Sequence, residues 1–175
     1  MNFKVQKSDT IFEGHAFDIK VDQIIYDSGN KGVREVILHT GGAVVLPITK
    51  DGKIVLIKQY RYPLDQFLYE LPAGKLEINE DPLNCATREL TEETGYTSDK
   101  ISYLGKIYTS PGFCNETLFI YLAEDLVPGN HNREEGEDGM EMHEFTIEEI
   151  DKMISDELIV DGKSISGLYY YKNKK

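Results

Sequence analysis

Cysteine is scarce. Cys85 and Cys114 are the only two in 175 residues, with no CxxC spacing and no nearby pair of histidines, so neither a zinc site nor a disulfide framework is indicated. A reducing compartment fits. Long apolar runs are missing as well: no stretch approaches about 18 consecutive apolar residues, and the N-terminal MNFKVQKSDTIFEGH lacks the apolar core of about 7 to 15 residues that a secretory leader carries. A cytoplasmic protein without a membrane span is expected. Positive charge is in deficit, 19 Lys+Arg against 31 Asp+Glu, and the net charge of −12 repels a phosphate backbone or an anionic bilayer. A small phosphate-bearing substrate is compatible with that charge only through bound cations or a local basic patch. There is no internal repeat and no low-complexity linker. The length predicts one compact domain with at most a small extension, and 40% hydrophobic residues are enough for a core.

What is present begins with alternation. FDIKVDQIIYD and REVILHT flank the turn-rich Asp27-Ser28-Gly29-Asn30-Lys31-Gly32 and predict a hairpin between Gly14 and Thr40. AVVLPIT and IVLIKQYRY then bracket Lys50-Asp51-Gly52-Lys53, which predicts a second hairpin. The first pair alternates apolar with charged residues, whereas the second is nearly continuous apolar, as strands covered on both faces are. The first therefore reads as an appendage and the second as central. Asp81 at an N-cap, Pro82 at the first helical position and Gly95 at a left-handed cap delimit a helix through Thr94. Downstream come ISYLGKIYTS, a loop PGFCNE, a strand TLFIYLAEDL, an acidic stretch, and two amphipathic helices in TIEEIDKMISDEL and DGKSISGLYYYKNKK. This mixture predicts an α/β (α+β) sandwich around a mixed sheet.

On the delimited helix, Leu83, Ala86 and Leu90 share one side, while Glu89, Glu92 and Glu93 gather about 100° away. Like charges at this spacing each cost a few tenths of a kcal/mol, so any stabilising reason for the cluster lies outside the helix. A hard divalent cation, Mg2+ or Mn2+, is the simplest such reason. A solvated acidic face accounts for the periodicity equally well in so acidic a chain. Arg61, between Tyr60 and Tyr62, is readable as an ordinary edge-strand arginine, and SPGFCNE as an ordinary turn.

The longer pattern Gly74-x5-Glu80-x7-Arg88-Glu89-Leu90-x-Glu92-Glu93-x-Gly95-Tyr96 resembles the Nudix box at seven fixed positions and one aliphatic position. Chance agreement at roughly one in sixteen per fixed position falls below about one in a million for this chain. Tyr96 departs from the aliphatic residue usual there. The resemblance implies a mixed sheet flanked by helices and cleavage of nucleoside diphosphates linked to another moiety. It implies metal ligation by Glu89 and Glu93, with Glu92 and the backbone carbonyl of Ala73 as further ligands. It also makes Arg88 the partner that fixes the ligand carboxylates and Glu80 the residue that holds the loop. Metals there would neutralise the diphosphate and lower the pKa of a bound water, supplying the cation that the charge argument requires.

Beyond the box, REVILHTGGAVVLPI, QYRYP, YELPAGKLE and YTSPGFCNE resemble the ADP-ribose pyrophosphatase branch, with Pro111 16 residues after Gly95. That likeness implies a homodimer that exchanges its N-terminal β extension, residues 1–40, across the subunits, leaving 41–175 as the Nudix domain. It implies that Arg61 contacts the diphosphate, Leu76 the substrate wall, Glu116 a ribose hydroxyl or terminal sugar, and that Ser110, Pro111 and Gly112 line the substrate. Arg34 and Glu35 would reach a substrate in the partner subunit. The general base is expected in the acidic stretch Glu134-Glu135-Gly136-Glu137-Asp138, with Glu137 first and Glu135 and Asp138 behind it. The expected reaction is Mg2+-dependent hydrolysis of ADP-ribose to AMP and ribose 5-phosphate. The alternatives are another nucleoside diphosphate sugar, such as GDP-mannose, or a nucleotide sensor that does not cleave.

Overall fold

The alternation near the N-terminus builds more than a hairpin. The computed structural model describes residues 2–130 and 139–174. In chain order the strands are β1 (Phe3–Glu13), β2 (Asp18–Tyr26), β3 (Lys31–Leu38), β4 (Gly42–Pro47), β5 (Ile54–Arg61), β6 (Gln66–Glu70), β7 (Ala73–Lys75), β8 (Tyr96–Thr97), β9 (Lys100–Tyr108), β10 (Thr117–Glu124), β11 (Val127–Pro128) and β12 (Glu141–Phe145). The helices are α1 (Pro82–Thr94), α2 (Ile147–Ser155) and α3 (Gly162–Lys172). Contacts divide the chain into two units, Met1–Gly41 with Tyr108–Thr117, and Gly42–Ile107 with Leu118–Lys175.

In the first unit β2 and β3 form the expected hairpin, and β1 adds a third antiparallel strand against β2. Sequence periodicity misses β1 because its register shifts twice, between Val5 and Lys7 and between Thr10 and Phe12, which breaks the two-residue repeat. Residues 110–116 run along the end of β3. The Phe113 carbonyl accepts from Ile37 N at 2.7 Å, and Ile37 O accepts from Asn115 N at 3.2 Å.

In the second unit β4 is paired in parallel with β10 and antiparallel with β7, giving a mixed four-stranded sheet in the order β7-β4-β10-β9. β5 belongs to a separate antiparallel sheet in the order β12-β5-β6. The second expected hairpin is thereby corrected: after the turn at Asp51-Gly52 only an isolated bridge, Ile48 to Ile54, joins the two strands. Double coverage explains the divergence. Ala43, Val45 and Val55 pack with Cys85, Ala86 and Leu90 of α1, while Val44, Leu46, Ile54 and Leu56 pack with Ile150 and Met153 of α2 and Leu168 of α3. Each strand thus buries both faces, and its edges are paired with strands other than its sequence neighbour.

α1 has the expected limits. The Asp81 carboxylate accepts from Leu83 N at 2.9 Å, Pro82 occupies the first turn, and Gly95 sits at φ 75° with its N–H on Thr91 O. Its buried side differs from the expected one, because Leu83 is exposed and Cys85 takes its place in the core. Among the described residues no helix is long and apolar enough to cross a membrane.

Candidate active site

The inward side of α1 carries Cys85, Glu89 and Glu93, successive members of a four-residue repeat that stacks them one turn apart. Glu89 and Glu93 are buried, at 6% and 1% exposure, so the acidic cluster read from sequence is split: two carboxylates face inward, and Glu92 lies at the rim. A solvated acidic face does not describe it. Burying carboxylates is costly unless donors meet them. Ala73 N, on β7, donates to Glu93 Oε2 at 2.9 Å, and Arg88 Nη1 donates to Glu89 Oε1 at 2.6 Å and to Glu92 Oε2 at 2.9 Å. The same guanidinium reaches Glu80 Oε1 through Nε at 3.2 Å, and Glu80 Oε2 and Lys75 O through Nη2, each at 3.3 Å.

Glu80 in turn accepts from Glu77 N at 2.9 Å, which ties the loop between β7 and α1 to the helix. Its pKa is held below the ordinary carboxylate value chiefly by the bond from Arg88. For Arg88, burial favours loss of its proton, but Glu80, Glu89 and Glu92 outweigh that and raise its pKa. Burial pushes the Cys85 thiol up to about 12, with the Glu80 and Glu89 charges adding to it, so it stays a protonated packing group at neutral pH.

Gly74 explains why the carboxylates can come so close to β7. A Cβ built there would lie 1.7 Å from Glu89 Oε1, so any side chain would displace the carboxylate. Three carboxylates on one guanidinium, with Glu93 one helical turn beyond Glu89, leave a local surplus of negative charge. All the donors are hard oxygens, which fits a magnesium-type cation better than a soft metal. Among the described residues no group of three or more Asp, Glu, His or Cys side chains is gathered closely enough to hold an ion as it stands. Arg88 lies between Glu89 and Glu92, so a cation held by both would require their carboxylates to turn toward it.

A second charged centre lies on the same unit. The Glu70 carboxylate, at the end of β6 and 1% exposed, receives Arg61 Nε at 2.7 Å and Arg61 Nη2 at 2.6 Å, a two-pronged pair. Lys163 Nζ, from the first turn of α3, donates to the same Oε2 and to Asp161 Oδ2 at 3.0 Å. Bonding to Glu70 raises the Arg61 pKa, and the charge of Glu93 contributes to the shift. Sequence reading gave Glu70 and Lys163 no role. The signal was a lone acid inside the apolar FLYELPAG, at a position that a strand would bury.

Of the remaining expected substrate residues, Leu76 is packed in the core with Cys85, Ala86 and Leu90, which its place beside α1 dictates. Arg34 is held within the first unit: Nη2 donates to Tyr26 Oη at 2.6 Å, and the guanidinium lies 5.9 Å from the Phe3 and Tyr26 ring centres. Glu35 stands opposite Val21 on the β2–β3 ladder. Pro111 and Gly112 line a surface cleft of about 420 Å³ with Val36, Tyr108, Phe113, Cys114 and Asn115. Ser110 O accepts from Phe113 N and Cys114 N and closes the turn there. Glu116 Oε1 is 3.5 Å from His39 Nδ1, but that nitrogen already accepts from Gly41 N at 2.9 Å. Glu135, Glu137 and Asp138 lie outside the described residues.

Known proteins resemble this chain over nearly its whole length. The chain is 38% identical over 173 residues to an ADP-ribose pyrophosphatase of Bacillus subtilis, covering 98% of this chain and 94% of that protein. It is 36% identical over 173 residues to a methanol dehydrogenase activator of Bacillus methanolicus, covering 95% and 91% respectively. A crystal structure of an ADP compounds hydrolase superposes with a TM-score of 0.87 over 98% of this chain and 93% of that one, at 18% identity, a likeness of fold. The NUDIX domain family matches residues 38–162, a span that holds the whole arrangement around Arg88. With its box carboxylates gathered around Arg88 and that match over most of its length, the chain belongs to the NUDIX domain family.

Proposed function

We propose that this protein hydrolyses the diphosphate bond of ADP-ribose, water adding across the P–O–P bridge to give AMP and ribose 5-phosphate. The observation that carries the reading is the burial of Glu89 and Glu93 beside Ala73, with Arg88 bonded to Glu89 and Glu92. The B. subtilis relative of that name, at 38% identity, supports the substrate.

Glu89, Glu93, Glu92 and the Ala73 carbonyl would hold Mg2+, which when bound supplies a Lewis acid for the diphosphate and acidifies a coordinated water. Arg88 orients the carboxylates, and Glu80 fixes Arg88. Arg61, anchored through Nε and Nη2, presents Nη1 to a diphosphate oxygen. Glu137 removes the proton of the attacking water, with Glu135 and Asp138 the next candidates. Ser110, Pro111, Gly112 and Glu116 contact the ribose and terminal sugar, and Leu76 backs the substrate wall. The working form is a cytoplasmic homodimer in which residues 1–40 are exchanged and Arg34 and Glu35 serve the substrate of the partner subunit.

A panel of nucleotide sugars incubated with Mg2+ and resolved by HPLC tests this. ADP-ribose is expected to have the highest kcat/KM and to yield AMP and ribose 5-phosphate. A higher value for GDP-mannose would overturn the substrate assignment, and undiminished turnover in excess chelator would overturn the metal chemistry.

A further inference from the structure

Glu70 is an unusual anchor for a substrate-binding arginine, because it is shared. Its carboxylate is buried and accepts from both Arg61 and Lys163, and Lys163 is itself only 12% exposed in its side chain. Lys163 meets Asp161 as well, and Asp161 is fixed at the start of α3 by Ser164, whose backbone N and Oγ donate to Asp161 Oδ2 at 2.9 and 2.6 Å. The Ser164 hydroxyl also accepts from Leu71 N at 2.7 Å, the residue after Glu70. Two separate bonds therefore lock the first turn of α3 to the end of β6.

A buried carboxylate with one cationic partner holds that partner tightly, since releasing it would leave the charge uncompensated. Arg61 alone on Glu70 would form a neutral pair, and a diphosphate would have to compete with Glu70 for the guanidinium. A second cation on Oε2 changes this balance, because Glu70 no longer depends on Arg61 alone for compensation, while Asp161 accepts from Lys163 and leaves the four charges balanced. We propose that Lys163 is a positioning residue for substrate binding, acting through Glu70 to keep the Arg61 guanidinium oriented and electrostatically available to the diphosphate. The inference rests on the reading that Arg61 contacts the substrate.

The test is a double-mutant cycle on the full chain with ADP-ribose and Mg2+, reading KM, kcat and thermal midpoint for Lys163→Met, Lys163→Arg, Arg61→Ala and the pair Arg61→Ala with Lys163→Met. Lys163→Met is expected to raise KM about five-fold or more while kcat changes less than about two-fold. Lys163→Arg is expected to restore KM to within about two-fold, and Lys163→Met should add nothing once Arg61 is gone. Lys163→Gln, which removes the charge but keeps a donor, takes the place of Lys163→Met if that variant does not fold. A lowered midpoint with unchanged KM would overturn the inference, as would an undiminished effect of Lys163→Met in the Arg61→Ala background. An unchanged KM in Arg61→Ala itself would overturn the reading of Arg61, and the inference with it. A raised KM there with an unchanged KM in Lys163→Met would overturn the inference alone.

Discussion

Arg88 and Glu70 are the centres of two charged clusters built in opposite senses. Around Arg88 one guanidinium serves Glu80, Glu89 and Glu92 while Glu93 stands nearby, so negative charge is in excess. Around Glu70 one carboxylate serves Arg61 and Lys163, and the cations are tied to it from two different elements. The first is suited to attract a divalent cation and the second, in which Asp161 balances the further cation, to hold the Arg61 guanidinium in a fixed orientation. A diphosphate bound together with a divalent cation would use both. On the proposed reading, a chain of net charge −12 would receive an anionic substrate through a captured cation and a fixed guanidinium.

The comparison breaks most sharply at the acidic centre. Glu93→Gln is expected to lower kcat for ADP-ribose by about 10³ at saturating Mg2+, with the fold retained by circular dichroism, because one missing ligand misplaces cation and water. Near-wild-type turnover would remove the asymmetry on which the account depends. Next is the proposed base: Glu137→Ala should cost about 10² or more in kcat with little change in KM. If Glu135→Ala or Asp138→Ala carries that loss instead, the base moves to that residue.

Arg61→Ala probes the opposite centre and should act mainly on KM, by about ten-fold, because a ground-state contact is lost. A pure kcat effect would place Arg61 with the reacting atoms. Gly74→Ala should destabilise by about 1–3 kcal/mol in denaturant titration, since Glu89 must yield to the new methyl group.

Smallest is the pH dependence of stability. Glu80 has a depressed folded-state pKa, so its contribution is present above the ordinary carboxylate pKa and is lost as pH falls through the folded value. Glu80→Gln should therefore be less stable than the wild type near pH 7, and the gap should close as the pH falls below the ordinary carboxylate range and through the folded value. A gap that widened in acid would contradict the ion-pair account.

The acidic centre was far more legible in the sequence than the Glu70 centre, for a physical reason. Glu80, Arg88, Glu89, Glu92 and Glu93 lie within one loop and one helix, so fixed spacing records their geometry. The limits of α1 were legible likewise, because Asp81, Pro82 and Gly95 act locally. Glu70 and Lys163 meet across 93 residues, a pairing that no local period encodes. β4 and β5 were recognisable as doubly covered strands, but their partners were not, since adjacent β-branched runs do not reveal that each will pair elsewhere. β1 was hidden by its two register shifts.

The central claim is that the inward carboxylates of α1 form a divalent-cation site, and Mn2+ binding followed by electron paramagnetic resonance tests it without reference to turnover. The wild-type chain should bind Mn2+ in competition with Mg2+, and Glu93→Gln should weaken that binding by about ten-fold or more. Equal Mn2+ affinity in the two folded proteins would contradict the claim.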